Sequence, residues 1–244
     1  MLDKSVLEAL DSKKFLITEF TMPPVSIMDG VRLRQAAILD KCEGKRVLHL
    51  GCTDHLEIIA FRLQQQTYLH RMLTYVSREC LGIDINKEAV DYLAINGITN
   101  IIEADITQPR IREIEESVWD ILLMPDMLEH IDNPVLFLQR IRNNYSGNIS
   151  SVIITVPNAF GINQISYVLN RGSEFINADH RYWFTPYTLC KVAYRAGLVI
   201  DDITGCIYEF SPGSNAEQYY TSFAYSIAQS PILNDTLMLT AHWE

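Results

Sequence analysis

The sequence predicts an α/β protein with a doubly wound, mostly parallel sheet of seven strands and helices on both of its faces. Two observations predict this class: apolar runs alternate along the chain with segments of helical length, and the first run ends in a single glycine, Gly51, before the chain turns polar. Such alternation is typical of parallel sheets whose crossovers are helices. The predicted strands are 46–51, 80–85, 100–104, 119–124, 151–156, 198–203 and 235–243.

The segments between and around these strands complete the predicted fold. Residues 1–44 are expected to form a helical N-terminal region that packs on or caps the active site, and residues 45–244 the main domain. Segment 57–78 has helical periodicity and exceeds the length that a crossover needs, which predicts an extra turn or a second short helix. Alternation over 235–243 predicts an antiparallel edge strand. Glycine, proline and serine predict a loop-rich excursion over 205–229.

The composition limits the classes of function. The 244 residues are 48% hydrophobic and 20% charged, as in an ordinary globular domain that buries a core. A formal net charge of −10 disfavours nucleic acid as a partner. Because no apolar run is long enough to cross a bilayer and the N-terminus lacks a signal-peptide stretch, a cytoplasmic location is expected. Five scattered cysteines predict reduced thiols without a zinc or disulfide pattern.

The first predicted strand and its loop have the sequence VLHLGCTDH, residues 47–55. A buried strand that ends in a glycine at the carboxyl edge of an α/β sheet is typical of sites for nucleotide-like ligands. A dinucleotide loop would need further glycines where Thr53, Asp54 and His55 stand. The expected ligand is therefore nucleoside-like and lacks a pyrophosphate.

Polar residues at the ends of the next strands suit such a ligand. Asp84 follows the second strand, where a carboxylate accepts both hydroxyls of a ribose; the alternative is that Asp84 caps the following helix. Asp105 follows the third strand and can accept a hydrogen bond from an adenine amino group, with Ile106 packed on the purine face. The fourth strand ends in the polar turn MPDMLEHIDNP, residues 124–134, beside the expected ligand.

In this order, the segments VLHLGC, GIDIN, EADI and WDILLMPDMLEHIDNP resemble the successive motifs of class I S-adenosylmethionine-dependent methyltransferases. The resemblance implies a Rossmann-like methyltransferase fold, with S-adenosylmethionine as the cofactor and S-adenosylhomocysteine as the product. It also implies that Gly51 and Cys52 line the methionine part of the cofactor and that Pro125 or Asp126 offers a carbonyl to its amino group. The predicted cofactor-binding residues are Gly51, Cys52, Thr53, His55, Asp84, Ile85, Asp105, Ile106, Pro125 and Asp126.

A narrower resemblance concerns the segment NADHRYWFTPYTL, residues 177–189, with the Ala-Gly-Leu that follows at 196–198. It is similar to a segment of methyltransferases associated with bacterial surface-glycan and small-metabolite pathways. The resemblance implies a small-molecule acceptor and favours a sugar or glycan hydroxyl, as in polysaccharide biosynthesis, over lipid, protein or nucleic acid. Insertions near 158–190 and 205–230 are expected to build the acceptor pocket, and the predicted acceptor contacts are Asn158, Arg181, Tyr182 and Trp183.

Methyl transfer to a hydroxyl requires alignment of the acceptor oxygen with the methyl group and, because the pKa of a hydroxyl is high, benefits from a general base. Histidine has a suitable pKa for this role. His130, after the fourth strand, is the first candidate, and His180, beside Asp179, is the second; for both, a role in shaping the pocket is the alternative. His55 is expected to be structural, and His49, inside the first strand, is interpreted as a satisfied core histidine.

Several alternatives stay open at this point. Asp54, Glu57 and Asp126 are spread along the chain, which does not establish that they converge, so no metal is expected. The tyrosine-rich segment 208–225 is interpreted as a lid or as an oligomer contact in a homodimer. The reduced glycine content of the first loop leaves a catalytically inactive, cofactor-binding module as an alternative to an enzyme. A nicotinamide-dependent sugar oxidoreductase is disfavoured by the same missing glycines.

Overall fold

The computed structural model describes residues 4–13, 15–210 and 213–244. Seven strands of these residues form one sheet in the order β3-β2-β1-β4-β5-β7-β6. The sheet and its flanking helices confirm the predicted α/β class. The strands are β1 (Arg46–Leu50), β2 (Glu79–Asp84), β3 (Ile101–Glu103), β4 (Trp119–Pro125), β5 (Ile149–Pro157), β6 (Leu198–Cys206) and β7 (Thr236–Trp243).

The helices of the described residues lie before, between and after these strands. Two short 3₁₀ turns are also present: one, Leu128–His130, follows β4, and the other, Pro231–Leu233, precedes β7. The α-helices are α1 (Lys4–Asp11), α2 (Ile27–Gly30), α3 (Arg34–Cys42), α4 (Leu56–Gln64), α5 (Leu69–Val76), α6 (Lys87–Ile95), α7 (Arg112–Glu115), α8 (Pro134–Tyr145), α9 (Ile162–Arg171), α10 (Pro186–Arg195) and α11 (Asn215–Gln229).

The sheet is mixed, and the last strand differs from its predicted position. Adjacent strands among β3, β2, β1, β4 and β5 pair in parallel, whereas β7 pairs antiparallel with both β5 and β6. The predicted antiparallel direction is confirmed, but the predicted edge position is wrong. Most side chains of β7, including Thr236, are buried between β5 and β6, and β6 is the strand that forms the edge. Polar residues in β7 therefore did not indicate exposure to solvent.

Two other segments test the sequence analysis. Segment 57–78 contains the predicted second short helix, since α4 and α5 are separated by a turn in which Gln66 has a φ of +58°. The loop-rich excursion predicted for 205–229 is wrong, because 15 of its residues form α11. The Ser214 hydroxyl accepts a hydrogen bond from the backbone N–H of Glu217 at 3.2 Å and caps that helix. A serine three residues before a glutamate is a helix-start signal that outweighed the turn-forming composition.

Helices cover both faces of the sheet and hold its carboxyl edge in place. On one face α3 and α5 pack on β1, β4 and β5 through side chains such as Val47 and Ile121. On the other face α8 and α10 pack on the same strands through Leu48 and Leu122. Each fully buried side chain of this kind contributes about 1.5–3 kcal/mol. The strand ends that carry the predicted site are therefore fixed by a two-sided apolar core.

The N-terminal region contacts the main domain at three separate places. α1 packs on α10, where the Lys191 ammonium donates to the carbonyl of Leu10 at 2.5 Å, α2 packs on α11, and α3 packs on α5. Among the described helices none has the length and apolar character that a bilayer crossing requires. The homodimer and the cytoplasmic location stay predictions.

Candidate active site

A cavity of about 1100 Å³ opens at the carboxyl ends of β1, β2 and β4. Parallel strands deliver their carboxyl ends to one edge of a sheet, so the loops that follow them meet there. The structure brings all ten residues predicted to bind the cofactor to this cavity. They are Gly51, Cys52, Thr53, His55, Asp84, Ile85, Asp105, Ile106, Pro125 and Asp126.

The loop after β1 forms one wall of the cavity with a single glycine. Gly51 has a φ of +64°, which L side chains rarely adopt, and a Cβ at this position would lie 3.0 Å from the Met127 side chain. The Tyr68 hydroxyl donates to the carbonyl of Cys52 at 2.6 Å and fixes the next residue. His55 stands at the start of α4 with an exposed side chain. It lies along the cavity wall and leaves the cavity open.

Asp84 has the geometry expected of a ribose ligand. Its carboxylate is almost buried at the end of β2, where Oδ2 accepts the backbone N–H of Thr53 at 2.9 Å and Oδ1 accepts that of Asn86 at 2.9 Å. Each carboxylate oxygen can accept a further hydrogen bond, so both oxygens can still receive a hydroxyl of a ribose. The Asn86 side chain caps α6, which leaves Asp84 free of the helix-capping role considered as its alternative.

Asp105 has a less specific environment. Its Oδ1 accepts the backbone N–H of Thr107 at 2.9 Å and the Thr107 hydroxyl at 2.7 Å. Burial acts to raise the pKa of Asp105, but these hydrogen bonds to Thr107 lower it overall. The carboxylate is therefore ionised and shapes its own turn, while Ile106 next to it is buried and presents an apolar surface to the cavity.

Asp126 connects the end of β4 to the N-terminal region. Its φ of +48° is unusual for a residue with a side chain, and its carboxylate accepts the Thr155 hydroxyl at 2.8 Å and pairs with the Arg34 guanidinium at 3.0 Å. Arg34 also pairs with Glu209 at 3.3 Å and is only 5% exposed. Burial alone would lower the pKa of Arg34, but Asp126 and Glu209 raise it overall. Sequence reasoning missed Arg34, since nothing near it in the chain marks it as a site residue.

The two histidines predicted as candidate bases lie together in the same cavity. The rings of His130 and His180 are 4.6 Å apart and nearly perpendicular, although 50 positions separate them in the chain. Asp179 accepts from His130 Nδ1 at 3.1 Å, so this carboxylate orients His130 rather than its sequence neighbour His180. Burial and the nearby His130 lower the pKa of His180, which favours a neutral ring. Its Nδ1 is buried without a hydrogen-bond partner among the described residues.

Glu129 completes this cluster, and sequence reasoning missed it. Its side chain is fully buried, and neither carboxylate oxygen has a hydrogen-bond partner within the described part of the chain. Burial, together with the charge of Asp126, raises the pKa of Glu129 to about 9. One ligand atom each from Glu129, His130 and His180 lie within 4.8 Å of one another. The sequence showed Glu129 beside His130 but gave no sign that the carboxylate is buried and unpaired.

This cluster has the donor set of a site for a divalent cation. Two imidazoles and one carboxylate bind first-row metals such as Zn²⁺ and Mn²⁺, and ligating histidines commonly hold their second nitrogen against a carboxylate, as His130 holds Asp179. A cation would also satisfy the buried oxygens of Glu129, which otherwise require a proton. The sequence predicts no metal, since Asp54, Glu57 and Asp126 are spread along the chain and no pattern in it shows that packing brings His180 to the turn after β4.

The residues predicted to contact the acceptor divide into two groups. Trp183 and Asn158 line the cavity, although both amide hydrogens of Asn158 bind the carbonyls of Ile232 and Asn234, at 2.7 and 2.6 Å. Arg181 and Tyr182 are not among the lining residues. Both contact Asp132 instead: Arg181 Nε pairs with its carboxylate at 2.9 Å, and the Tyr182 hydroxyl donates to its carbonyl at 2.6 Å. These two residues hold segment 177–183 against the turn after β4.

Two further histidines, His49 and His70, form a buried pair, of which His49 also lines the cavity. His49 is buried and its Nδ1 lies 3.1 Å from the Nδ1 of the fully buried His70, which agrees with its interpretation as a core histidine. Burial lowers the pKa of His70 to about 4 and that of His49 well below its usual value. At neutral pH this pair is uncharged, and one ring donates its Nδ1–H to the other.

One spacing typical of hydride-transfer enzymes occurs in the chain and lies outside the cavity. Tyr187 and Lys191 have the Tyr-x-x-x-Lys spacing of such enzymes, on α10. Lys191 donates to the carbonyls of Ala9 and Leu10 in α1, and the Tyr187 hydroxyl donates to the carbonyl of Ala9 at 3.4 Å. These residues attach the first helix to the domain and do not form a nicotinamide site.

Comparisons with known proteins agree with this geometry. A family model described as a methyltransferase domain matches residues 27–203. The ubiquinone biosynthesis O-methyltransferase of Aeromonas salmonicida (strain A449) is 23% identical over 193 residues, which cover 72% of this chain and 74% of that protein. The enzyme of the same name from Paraburkholderia phymatum is 21% identical over 199 residues, covering 76% of this chain and 78% of that protein.

Two solved structures resemble this one in fold. A SAM-dependent methyltransferase from Archaeoglobus fulgidus superposes with a TM-score of 0.50 and 17% identity, covering 86% of this chain and 91% of that chain. The small RNA methyltransferase HEN1 superposes with a TM-score of 0.52 and 14% identity, covering 96% of this chain and 27% of that chain. At these identities the likeness concerns the fold alone.

Proposed function

Since the chain belongs to the methyltransferase-domain family and is an S-adenosylmethionine-dependent methyltransferase, we propose that it methylates a hydroxyl on an aromatic ring of a small molecule. A divalent cation held by Glu129, His130 and His180 would activate that hydroxyl. The observation that carries the proposal is the buried, unpartnered carboxylate of Glu129 next to two histidines in the cofactor cavity.

S-adenosylmethionine supplies an activated methyl group, so the protein must chiefly align the acceptor oxygen and remove its proton. In the proposed site, Asp84 holds the ribose and the Gly51 loop lines the methionine part. The carbonyl of Pro125 or Asp126 receives the amino group, and Asp105 with Ile106 contacts the adenine. The ion pair between Arg34 and Asp126 keeps that strand end in its left-handed conformation.

The proposed cation acts on the acceptor and leaves the cofactor chemistry unchanged. A hydroxyl bound to a divalent cation loses its proton at a much lower pH than a free hydroxyl. His130, oriented by Asp179, and the neutral His180 would hold the cation together with Glu129; the cation would lower the pKa of the acceptor hydroxyl, so that its proton passes to water and its oxygen can attack the methyl group. With three protein ligands, such a cation would keep positions open for oxygens of the acceptor.

The walls of the cavity support an aromatic acceptor. Tyr167, Phe175, Ile176 and Trp183 line it and offer aromatic and aliphatic apolar surfaces. The relatives at 20–23% identity are all named ubiquinone biosynthesis O-methyltransferases. Neither observation supports the sugar or glycan hydroxyl that the narrower sequence resemblance favours.

Calorimetry tests the cofactor and the cation separately. S-adenosylhomocysteine should bind and NADH should not; binding of NADH alone would contradict the methyltransferase site. Protein dialysed against EDTA should bind Zn²⁺ or Mn²⁺, and Glu129→Gln should weaken that binding by at least about tenfold, or 1.4 kcal/mol. The exposed Glu113→Gln is the matched control and should bind as the wild type does.

Activity then tests the acceptor. Phenol, 1,2-dihydroxybenzene and UDP-glucose are incubated with labelled S-adenosylmethionine, with and without the cation. Methylation of an aromatic hydroxyl that disappears with EDTA supports the proposal. Methylation of UDP-glucose alone would overturn the acceptor class, and activity that survives EDTA would return His130 or His180 to the role of general base. Cofactor binding without any methylation would favour the inactive module.

A further inference from the structure

Helix α9 covers the cavity but is weakly embedded in the protein. Asn163, Gln164 and Tyr167 of this helix line the cavity, yet none of its ten residues is buried. Most helices of globular proteins are held by a buried apolar stripe. Apart from Ile162, which packs partly buried on the cluster of Ile207, Tyr220 and Ile227, polar contacts must therefore hold α9 over the cavity.

The N-terminal end of α9 is attached to a buried carboxylate. Asp235, just before β7, is 5% exposed and accepts the backbone N–H of Asn163 at 3.0 Å and its amide at 2.7 Å. The Tyr220 hydroxyl of α11 donates to the same carboxylate at 2.5 Å. Asp235 thus joins α9, α11 and the sheet through hydrogen bonds to one side chain.

The backbone before α9 is shaped to approach this carboxylate. A Cβ on Gly161 would lie 2.5 Å from Oδ1 of Asp235 and 2.8 Å from its Cα, so a larger residue would displace the helix from its anchor. Asn158 reaches the same place, with its backbone N–H donating to the carbonyl of Asp235 at 2.8 Å. The close approach is confined to this end of the helix.

The far end of α9 turns back over the cavity through aromatic contacts. The helix ends at Gly172, whose φ is +59°, and residues 173–183 return without forming a helix or an extended strand. The rings of Tyr167 and Phe175 stack at 5.1 Å, and the Arg171 guanidinium lies 5.2 Å from the Tyr167 ring centre. We call residues 161–176 the flap; residues 177–183 are held against the turn after β4 through Arg181 and Tyr182. The inner side of the flap lines the cavity, whereas Val168 and Leu169 are exposed on its outer side.

We propose that Asp235, with Tyr220 and Asn163, is the positioning anchor of a flap that closes over the acceptor end of the site. The flap opens to admit the acceptor and closes when Asn163 returns to Asp235. Segments with few buried apolar contacts open at low free-energy cost, so the four hydrogen bonds among Asp235, Tyr220 and Asn163 set the open population. The identity of the covered ligand rests on the proposed function, but the anchoring does not.

Tyr220→Phe removes one hydroxyl and keeps the aromatic packing of α11. Tyr225→Phe on the same helix is the matched control, since Tyr225 is largely exposed. Trypsin cleavage after Arg171 measures flap opening, because the rate of cleavage follows the population of the open form. Acrylamide quenching of tryptophan fluorescence provides a second readout: Trp119 and Trp243 are buried, so Trp183, whose indole N–H donates to Glu174 of the flap, dominates the response.

Tyr220→Phe should raise the cleavage rate after Arg171 by at least about fivefold, because its hydroxyl makes two hydrogen bonds, one donated to Asp235 and one accepted from the Asn163 amide. It should also increase quenching, while Tyr225→Phe changes neither. Binding of S-adenosylhomocysteine should stay within about twofold of the wild type, because the anchor does not touch the cofactor residues. Where an aromatic acceptor is methylated, its KM should rise more than kcat falls.

Asp235→Asn and Asp235→Ala complete the test. Asp235→Asn keeps an acceptor for the Asn163 N–H, so this variant should retain much of the wild-type resistance to trypsin. Asp235→Ala has no such acceptor and should be cleaved faster. An unchanged cleavage rate in Tyr220→Phe would overturn the proposal. A uniform rise at every trypsin site with loss of S-adenosylhomocysteine binding would also overturn it, since it would assign Tyr220 to global stability. Flap opening in a protein that methylates no aromatic compound would sustain the anchor and contradict the proposed function alone.

Discussion

Replacing Glu129 by glutamine should change how the stability of the metal-free protein depends on pH. The carboxyl is fully buried, and burial with the charge of Asp126 raises its pKa from 4.5 to about 9. In the unfolded chain the same group titrates near its ordinary pKa. Between these two values the folded state holds one proton more than the unfolded state. The stabilisation from this group is therefore complete below the unfolded pKa and is lost as the pH rises through the folded pKa.

The size of the effect follows from proton linkage. Each pH unit inside this window lowers the free energy of unfolding by about 1.4 kcal/mol for one proton, so a rise from about pH 5.5 to 8.5 costs about 4 kcal/mol. That is a large part of the roughly 5–15 kcal/mol that stabilises a typical domain. Glutamine has nearly the same volume and does not titrate. The Glu129→Gln variant should therefore lack this loss.

Urea unfolding in EDTA, followed by circular dichroism at several pH values across this range, measures the effect. We expect the difference in unfolding free energy between wild type and Glu129→Gln to change by about 4 kcal/mol, while Glu113→Gln follows the wild type. Titrations elsewhere in the chain cancel in that difference. Zn²⁺ should stabilise the wild type most at high pH, where no proton competes for the carboxylate. Parallel pH profiles for the two proteins would refute the reasoning.

Three further predictions follow from other contacts. Asp84→Ala should weaken binding of S-adenosylhomocysteine by at least about tenfold, or 1.4 kcal/mol, in calorimetry, and an unchanged affinity would refute the ribose assignment. The lowered pKa values of His49 and His70 mean that their neutral forms stabilise the fold above about pH 6.5 and that this stabilisation is lost toward pH 4; thermal unfolding of the Glu129→Gln variant, which lacks the opposite effect of Glu129, should show it between pH 7 and pH 5, and a melting temperature of that variant that does not fall would count against a neutral buried pair. Arg34→Gln should leave Asp126 without its buried partner and destabilise the protein by about 3–5 kcal/mol in urea unfolding, whereas a loss below 1 kcal/mol would show that the ion pair does not hold the strand end.

The cofactor half of the site could be predicted because its residues follow strands directly. Gly51, Asp84 and Asp105 each stand at the carboxyl end of an apolar run, and parallel pairing carries such ends to one place without further information. The signal is local, since a strand and the few residues after it suffice. The order of the motifs along the chain predicted which part of the cofactor each residue contacts. All ten predicted residues line one cavity.

The acceptor half could not be predicted in this way, because it depends on contacts between distant segments. His180 meets His130 because the backbone N–H of Arg181 donates to the carbonyl of Glu129 at 2.7 Å and brings segment 177–183 onto the turn after β4. Asp235 was placed only as the start of a strand, although α11 and α9 converge on it. Burial and pairing of this kind are properties of packing and have no local pattern.

The charges around the cavity connect the proposed cation with the proposed acceptor. Seven acidic residues line the cavity against two arginines, and one of these, Arg34, already pairs with Asp126 and Glu209. An excess of carboxylates in a cavity repels anions and attracts cations. It therefore disfavours acceptors that carry a diphosphate, such as nucleotide sugars, and it favours both a positively charged sulfonium cofactor and a divalent ion. Without such an ion, protonation of Glu129 reduces the repulsion between these carboxylates. Its raised pKa of about 9 means that Glu129 is protonated at neutral pH.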